Sequence, residues 1–127
     1  MNSLRIAIAQ IDSTVGDLEG NADRIAGFAA RARAAGAHLM VTPELALCGY
    51  PPEDLLLRPD FYRACARTLA ELAARLPGIA VVVGHPQAHD GDFYGVASLL
   101  QDGRIAATCR KHRLPNYEVC DEQRYFS

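Results

Sequence analysis

Tyr94-Gly95-Val96-Ala97-Ser98-Leu99-Leu100-Gln101-Asp102-Gly103-Arg104-Ile105-Ala106-Ala107-Thr108 is the stretch that decides the fold. Asp-Gly between two apolar runs is a strong signal for a tight hairpin, because both turn positions need φ above zero and Asp and Gly tolerate it. Strands are therefore expected over Tyr94–Leu100 and Arg104–Thr108. Strands joined by so short a turn must run antiparallel. The chain before them alternates single strands with helices, which calls for parallel crossover connections.

Working outward, Ile79–Val83 is a β-branched run that reads as a buried strand. Before it, Pro59 suits a first helical position and Asp60 favours the positive end of the helix dipole. A helix is expected from there to Leu76, with Phe61, Cys65, Leu69, Leu72 and Leu76 as its buried stripe and Pro77-Gly78 as its stop. Further back, His38–Val41 reads as a short strand, and Thr42-Pro43-Glu44 follows at its C-terminal end. A helix over about Asn21–Ala35 buries Ile25, Phe28, Ala29 and Ala32 and ends at Gly36. Leu4–Ile11 alternates Leu4, Ile6 and Ile8 with alanines, which suits a strand buried on both faces. The order β-α-β-α-β-β-β makes an α/β layered sandwich with a mixed sheet.

The 127 residues are the length of one domain, half of them hydrophobic and with a net charge of −2. That charge argues against a nucleic-acid footprint or a polybasic membrane patch. No apolar run approaches a membrane span, and Met1-Asn2-Ser3-Leu4-Arg5 lacks a signal peptide's apolar core. A cytoplasmic location is the expectation. Cys48, Cys65, Cys109 and Cys120 form no CxxC pair, and Cys65 falls on an apolar helix face as a core residue. His85 and His89 fall in what reads as a Pro/Gly-rich loop, and no helix aligns them for a metal; His38 reads as structural.

Twelve of the thirteen basic residues are arginines, and Lys111 is the one lysine. An ammonium is a compact charge whose pKa responds to its surroundings, unlike a guanidinium. Glu44 follows one strand and Lys111 another, and strand ends are where sites gather in open α/β sheets. Such a pair can divide labour, the carboxylate taking a proton and the ammonium stabilising a developing oxyanion. An ion pair without chemistry is the other reading of the same spacing.

Pro43-Glu44-Leu45-Ala46-Leu47-Cys48-Gly49-Tyr50-Pro51-Pro52-Glu53-Asp54-Leu55 closely resembles the glutamate motif of the nitrilase, or carbon–nitrogen hydrolase, superfamily. Arg110-Lys111-His112-Arg113-Leu114-Pro115-Asn116-Tyr117 resembles its lysine motif, and Asp121-Glu122-Gln123-Arg124-Tyr125-Phe126 resembles the segment after it. With the Ala9-Gln10 strand end and the Asn21 helix start, the likeness takes in the whole chain. In this combination it is most similar to the glutaminase domain of glutamine-dependent NAD synthetases. The resemblance implies the N-terminal part of a nitrilase-like α-β-β-α sandwich over residues 1–127, with the rest of that domain and any synthetase domain absent.

The resemblance further implies a Glu–Lys–Cys triad, with Glu44 as general base and Lys111 as oxyanion stabiliser. Tyr117 would contact bound glutamine, and Tyr50 would line the pocket. Otherwise Tyr117 is a core tyrosine and Tyr50 orders the Gly49–Pro52 turn. The family's nucleophilic cysteine lies beyond the lysine on a later strand end. None of the four cysteines has that context, and Cys120 sits in an acidic loop nine residues past Lys111. Gly95 and Glu118 are smaller departures. The isolated chain is therefore expected to be inactive on glutamine, and an uncovered apolar layer to make it self-associate. No cofactor is expected for this chain. ATP and magnesium are implied for the synthetase domain, with glutamine and deamido-NAD as substrates of the parent and a homo-oligomer as its assembly. A stand-alone ω-amidase or carbamoylase, and a non-catalytic interaction module, are the alternatives.

Overall fold

The computed structural model describes residues 3–49 and 58–113, with side chains as far as residue 110. Tyr50, Tyr117 and Cys120 lie outside them. In chain order the elements are β1 (Ile6–Ile8), α1 (Leu18–Ala34), β2 (Leu39–Val41), α2 (Pro59–Ala73), β3 (Ala80–His89), β4 (Asp92–Gln101) and β5 (Arg104–Arg113). The five strands form one mixed sheet in sequence order. β1, β2 and β3 are parallel, whereas β4 runs antiparallel to both β3 and β5. This is the mixed α/β layering that the hairpin reading requires.

Both helices share one hydrophobic core with one face of the sheet. Ile25 and Ala29 of α1 and Cys65, Leu69 and Leu72 of α2 pack with Met40, Val81, Val83 and Leu100, all at most 2 % exposed. On the opposite face the edge strand β1 is exposed. Ile6 and Ile8 are 53 % and 78 % exposed, while Ala7 and Ala9 between and after them turn to the core. The expectation that β1 is buried on both faces is thus corrected. β1 is an edge strand with a helix layer on one side, so only its alanine face is covered. Among the described residues no helix is long and apolar enough to cross a membrane.

The boundaries moved where tertiary pairing or capping outweighed local pattern. α1 starts at Leu18, before the expected Asn21, because the Asp17 carboxylate accepts the Gly20 amide at 3.1 Å and caps the helix. Asp102 and Gly103 take φ of +56° and +80°, the tight turn expected between β4 and β5. Asp90 and Gly91 repeat it at +51° and +80°, joining β3 to β4 in a second hairpin. The histidines His85 and His89, expected in a loop, are therefore in a strand. Pro86 fits there because β2 ends at Val41, opposite Val82, and the next residues of β3 have no strand on that side. A missing N–H at position 86 breaks no ladder bond.

Candidate active site

Two antiparallel steps bring β5 back to the direction of β3, so the C-terminal ends of β2, β3 and β5 lie at one edge of the sheet. Glu44 emerges there from the end of β2. Lys111 arrives there too, but inside β5 and not after a strand as its sequence suggested. Gly95 pairs with His112 and Val96 with Arg110, so Lys111 is the extra residue of a β-bulge. Bulges bend a strand and re-aim its residues, and they are common next to active sites. Before the bulge, Arg110 stacks its guanidinium 5.2 Å from the centre of the Tyr94 ring. The backbone axes of β3 and β5 are two strand spacings apart, about 10 Å.

The Glu44 turn is pinned from several sides. Thr42 donates its amide to the Val82 carbonyl at 3.0 Å and its hydroxyl to the same oxygen at 2.9 Å, prolonging the β2–β3 ladder past the strand end. The Leu47 amide donates to the Gly84 carbonyl at 3.1 Å. Ser13 donates its hydroxyl to Ala46 O at 2.6 Å, and Gly16 donates its amide to Cys48 O at 2.9 Å. Asn21, fully buried, accepts from the Thr14 amide at 2.8 Å and donates to the carbonyls of Thr14 and Leu47 at 2.7 and 3.0 Å. Leu45 takes φ of +53°, uncommon for a branched residue, while its side chain is 1 % exposed. Local strain at a site is held only when its surroundings over-determine it, as here. Glu44 itself is half-buried, and its Oε1 is withdrawn from solvent.

A groove of about 530 Å³ adjoins this turn, lined by Ile8, Ala9, Gln10, Ile11, Asp12, Thr42 and Pro43. It runs along the C-terminal ends of β1 and β2, the strand end expected from Ala9-Gln10. Thr42, Ser13 and Gly84 are site-building residues that sequence reasoning passed over, and Asn21 registered only as a helix start. Only the buried asparagine beside the helix entry carried a visible signal.

A second polar cluster lies on the helix side of the sheet. His85, 3 % exposed, faces Pro86 O with Nδ1 at 3.2 Å and Ser98 Oγ with Nε2 at 2.7 Å. A carbonyl only accepts, so Nδ1 carries the proton, Ser98 donates to Nε2, and Thr108 donates to Ser98 at 2.9 Å. Burial pushes the His85 pKa down to about 4, against a smaller opposing effect of the Pro86 carbonyl. The cluster floors a cavity of about 460 Å³ beneath α2, which includes Tyr62 and Phe93 stacked at 4.8 Å. Burial is also the main cause that pushes the Cys65 thiol up to about 12, as befits an inert core cysteine. His38 Nδ1 accepts from the Arg5 amide at 3.0 Å, a structural link between β2 and the approach to β1.

The carbon–nitrogen hydrolase family model matches residues 5–126. The chain belongs to the carbon–nitrogen hydrolase family. Within this family it is 52 % identical over 126 residues to the glutamine-dependent NAD(+) synthetase of Xanthomonas campestris, covering 98 % of this chain and 23 % of that protein. A crystal structure of a glutamine-dependent NAD(+) synthetase from Cytophaga hutchinsonii superposes with a TM-score of 0.85 at 29 % identity, over 99 % of this chain and 22 % of the other. An amidase of Nesterenkonia superposes at 0.74 with 31 % identity, over 91 % of this chain and 46 % of its own; it is described with an active-site cysteine. The chain thus spans about a quarter of the length of the curated glutamine-dependent NAD(+) synthetases it matches.

Proposed function

We propose that this chain is the N-terminal part of a glutaminase domain, residues 1–127, that supplies ammonia to a synthetase amidating deamido-NAD. The observation that carries the reading is the shared sheet edge. Glu44 sits there on an over-determined turn after β2, and Lys111 occupies a bulge of β5, which runs towards the same edge. In this reading Glu44 takes the proton of a cysteine supplied from outside these residues. The thiolate attacks the side-chain amide of glutamine, and Lys111 holds the charge that develops on the carbonyl oxygen. Ammonia departs with the proton that Glu44 returns, leaving a thioester. Water, deprotonated by Glu44, then releases glutamate and restores the thiol. Tyr50 and Tyr117 are proposed to contact the glutamine.

In the synthetase portion of such an enzyme, ATP with magnesium would activate deamido-NAD. Among the described residues no group of three acidic, histidine or cysteine side chains is placed to hold a metal, so none is assigned to that step. A homo-oligomer in the cytoplasm is part of the same proposal. Expression of the complete gene product tests it. Release of glutamate from glutamine, coupled to NAD formation when ATP, magnesium and deamido-NAD are added, is the expected result. Activity on other amides but not glutamine would favour a stand-alone amidase, the reading that the Nesterenkonia likeness supports. The 127-residue polypeptide alone is expected to release no glutamate, since two triad members cannot replace the third.

A further inference from the structure

We infer that Gly84 is the positioning residue for Glu44, an inference that rests on the glutaminase reading for its kinetic consequence and not for its geometry. Gly84 lies inside β3, paired with Ala97 of β4. Every group it offers to the other side serves the Glu44 turn. Its amide points to Thr42 Oγ1 at 3.4 Å, and its carbonyl accepts the Leu47 amide at 3.1 Å. The hydrogen in place of a side chain lets the turn lie directly on the strand. A Cβ at this position would come within 2.7 Å of Pro43 O and of Leu45 N, and within 3.1 Å of the Glu44 Cα.

These are backbone atoms, so none can swing aside as a side chain would. The turn is also tied at Thr42, Ala46 and Leu47, and it is locked by Leu45 buried at positive φ. Restoring ordinary contact would lift the Glu44 backbone off the sheet by roughly 0.7 Å. Catalytic groups must be held within about 0.5 Å, and a misplacement of about 1 Å can cost about 100-fold in rate. A glycine in a strand interior, unfavourable on propensity alone, is thus explained by close approach of another backbone.

The test compares wild type and Gly84→Ala in the complete gene product, with active sites counted by an electrophilic glutamine analogue that alkylates the nucleophile. The expected result is a folded protein whose kcat on glutamine falls about 100-fold per site while KM stays within about threefold. Its crystal structure should show the Glu44 Cα displaced by at least about 0.5 Å. A folded variant with kcat within threefold of wild type, or with Glu44 undisplaced, overturns the inference. If Gly84→Ala does not fold, Thr42→Val removes the hydroxyl from the same seat. It should lower kcat about tenfold, with Thr42→Ser recovering most of the loss. A Thr42→Val enzyme as fast as wild type then counts against the seat. If wild type itself leaves glutamine intact, the glutaminase reading fails, and the Glu44 displacement in the variant crystal still decides the role of Gly84.

Discussion

Gly84 and His85 are consecutive residues of β3, and they serve opposite faces of the sheet with opposite physics. On one face the Glu44 turn rests on Gly84, held by backbone contacts at the strand edge. On the other face His85 is enclosed beneath α2, both ring nitrogens engaged and its pKa driven down to about 4. A displaced pKa in a cavity is a frequent sign of chemistry, but here it reports desolvation of a side chain saturated by its own neighbours. The proposed site follows the other guide, placement at converging strand ends, where ligands gather in open α/β sheets.

Substitution of Glu44 breaks the comparison most sharply. Glu44→Gln keeps the shape and removes the base, so kcat/KM on glutamine in the complete gene product should fall about 1,000-fold, measured by glutamate release. The melting temperature should move by no more than about 2 °C, because glutamine keeps the size and shape of the side chain and leaves the bonds of Thr42, Ser13, Asn21 and Leu47 in place.

Acid acts on the other face. Unfolded His85 protonates near the ordinary histidine value of 6.5, whereas the folded imidazole stays neutral until about pH 4. Between these values the unfolded chain binds the extra proton, so stability falls as pH drops from 6.5 towards 4, by about 3 kcal/mol in all. Urea unfolding as a function of pH measures it, and His85→Leu should flatten that window. Ser98→Ala comes next. It strands His85 Nε2 and Thr108 without their partner and should cost about 2 kcal/mol, leaving kcat per folded molecule within about twofold. A large loss of kcat there would give the His85 cluster a part in the chemistry. Asp17→Ala, remote from both regions, should cost only about 1 kcal/mol through the lost α1 cap.

Much of this molecule is legible in its sequence. The Asp102-Gly103 hairpin, the α2 stripe and the position of Glu44 after a short strand all follow from local chemistry. The second hairpin at Asp90-Gly91 carries the same signal, but Gly84 and Pro86 make the residues before it read as a loop. Lys111 reads as following its strand for a related reason. Arg110-Lys111-His112-Arg113 has no apolar alternation, and only pairing with β4 makes those residues a strand.

By itself, then, the sequence determined the α/β order, the mixed sheet, the family and the two residues on which its chemistry is proposed to turn. Those rest on turn geometry, periodicity and motif, all read within a few residues of one another. Tertiary structure alone decided that Ile6 and Ile8 face outward, that Lys111 sits in a bulge, and that Glu44 lies on Gly84. Each depends on which distant backbone comes to lie alongside, and no local pattern encodes a contact between residues forty apart in the chain.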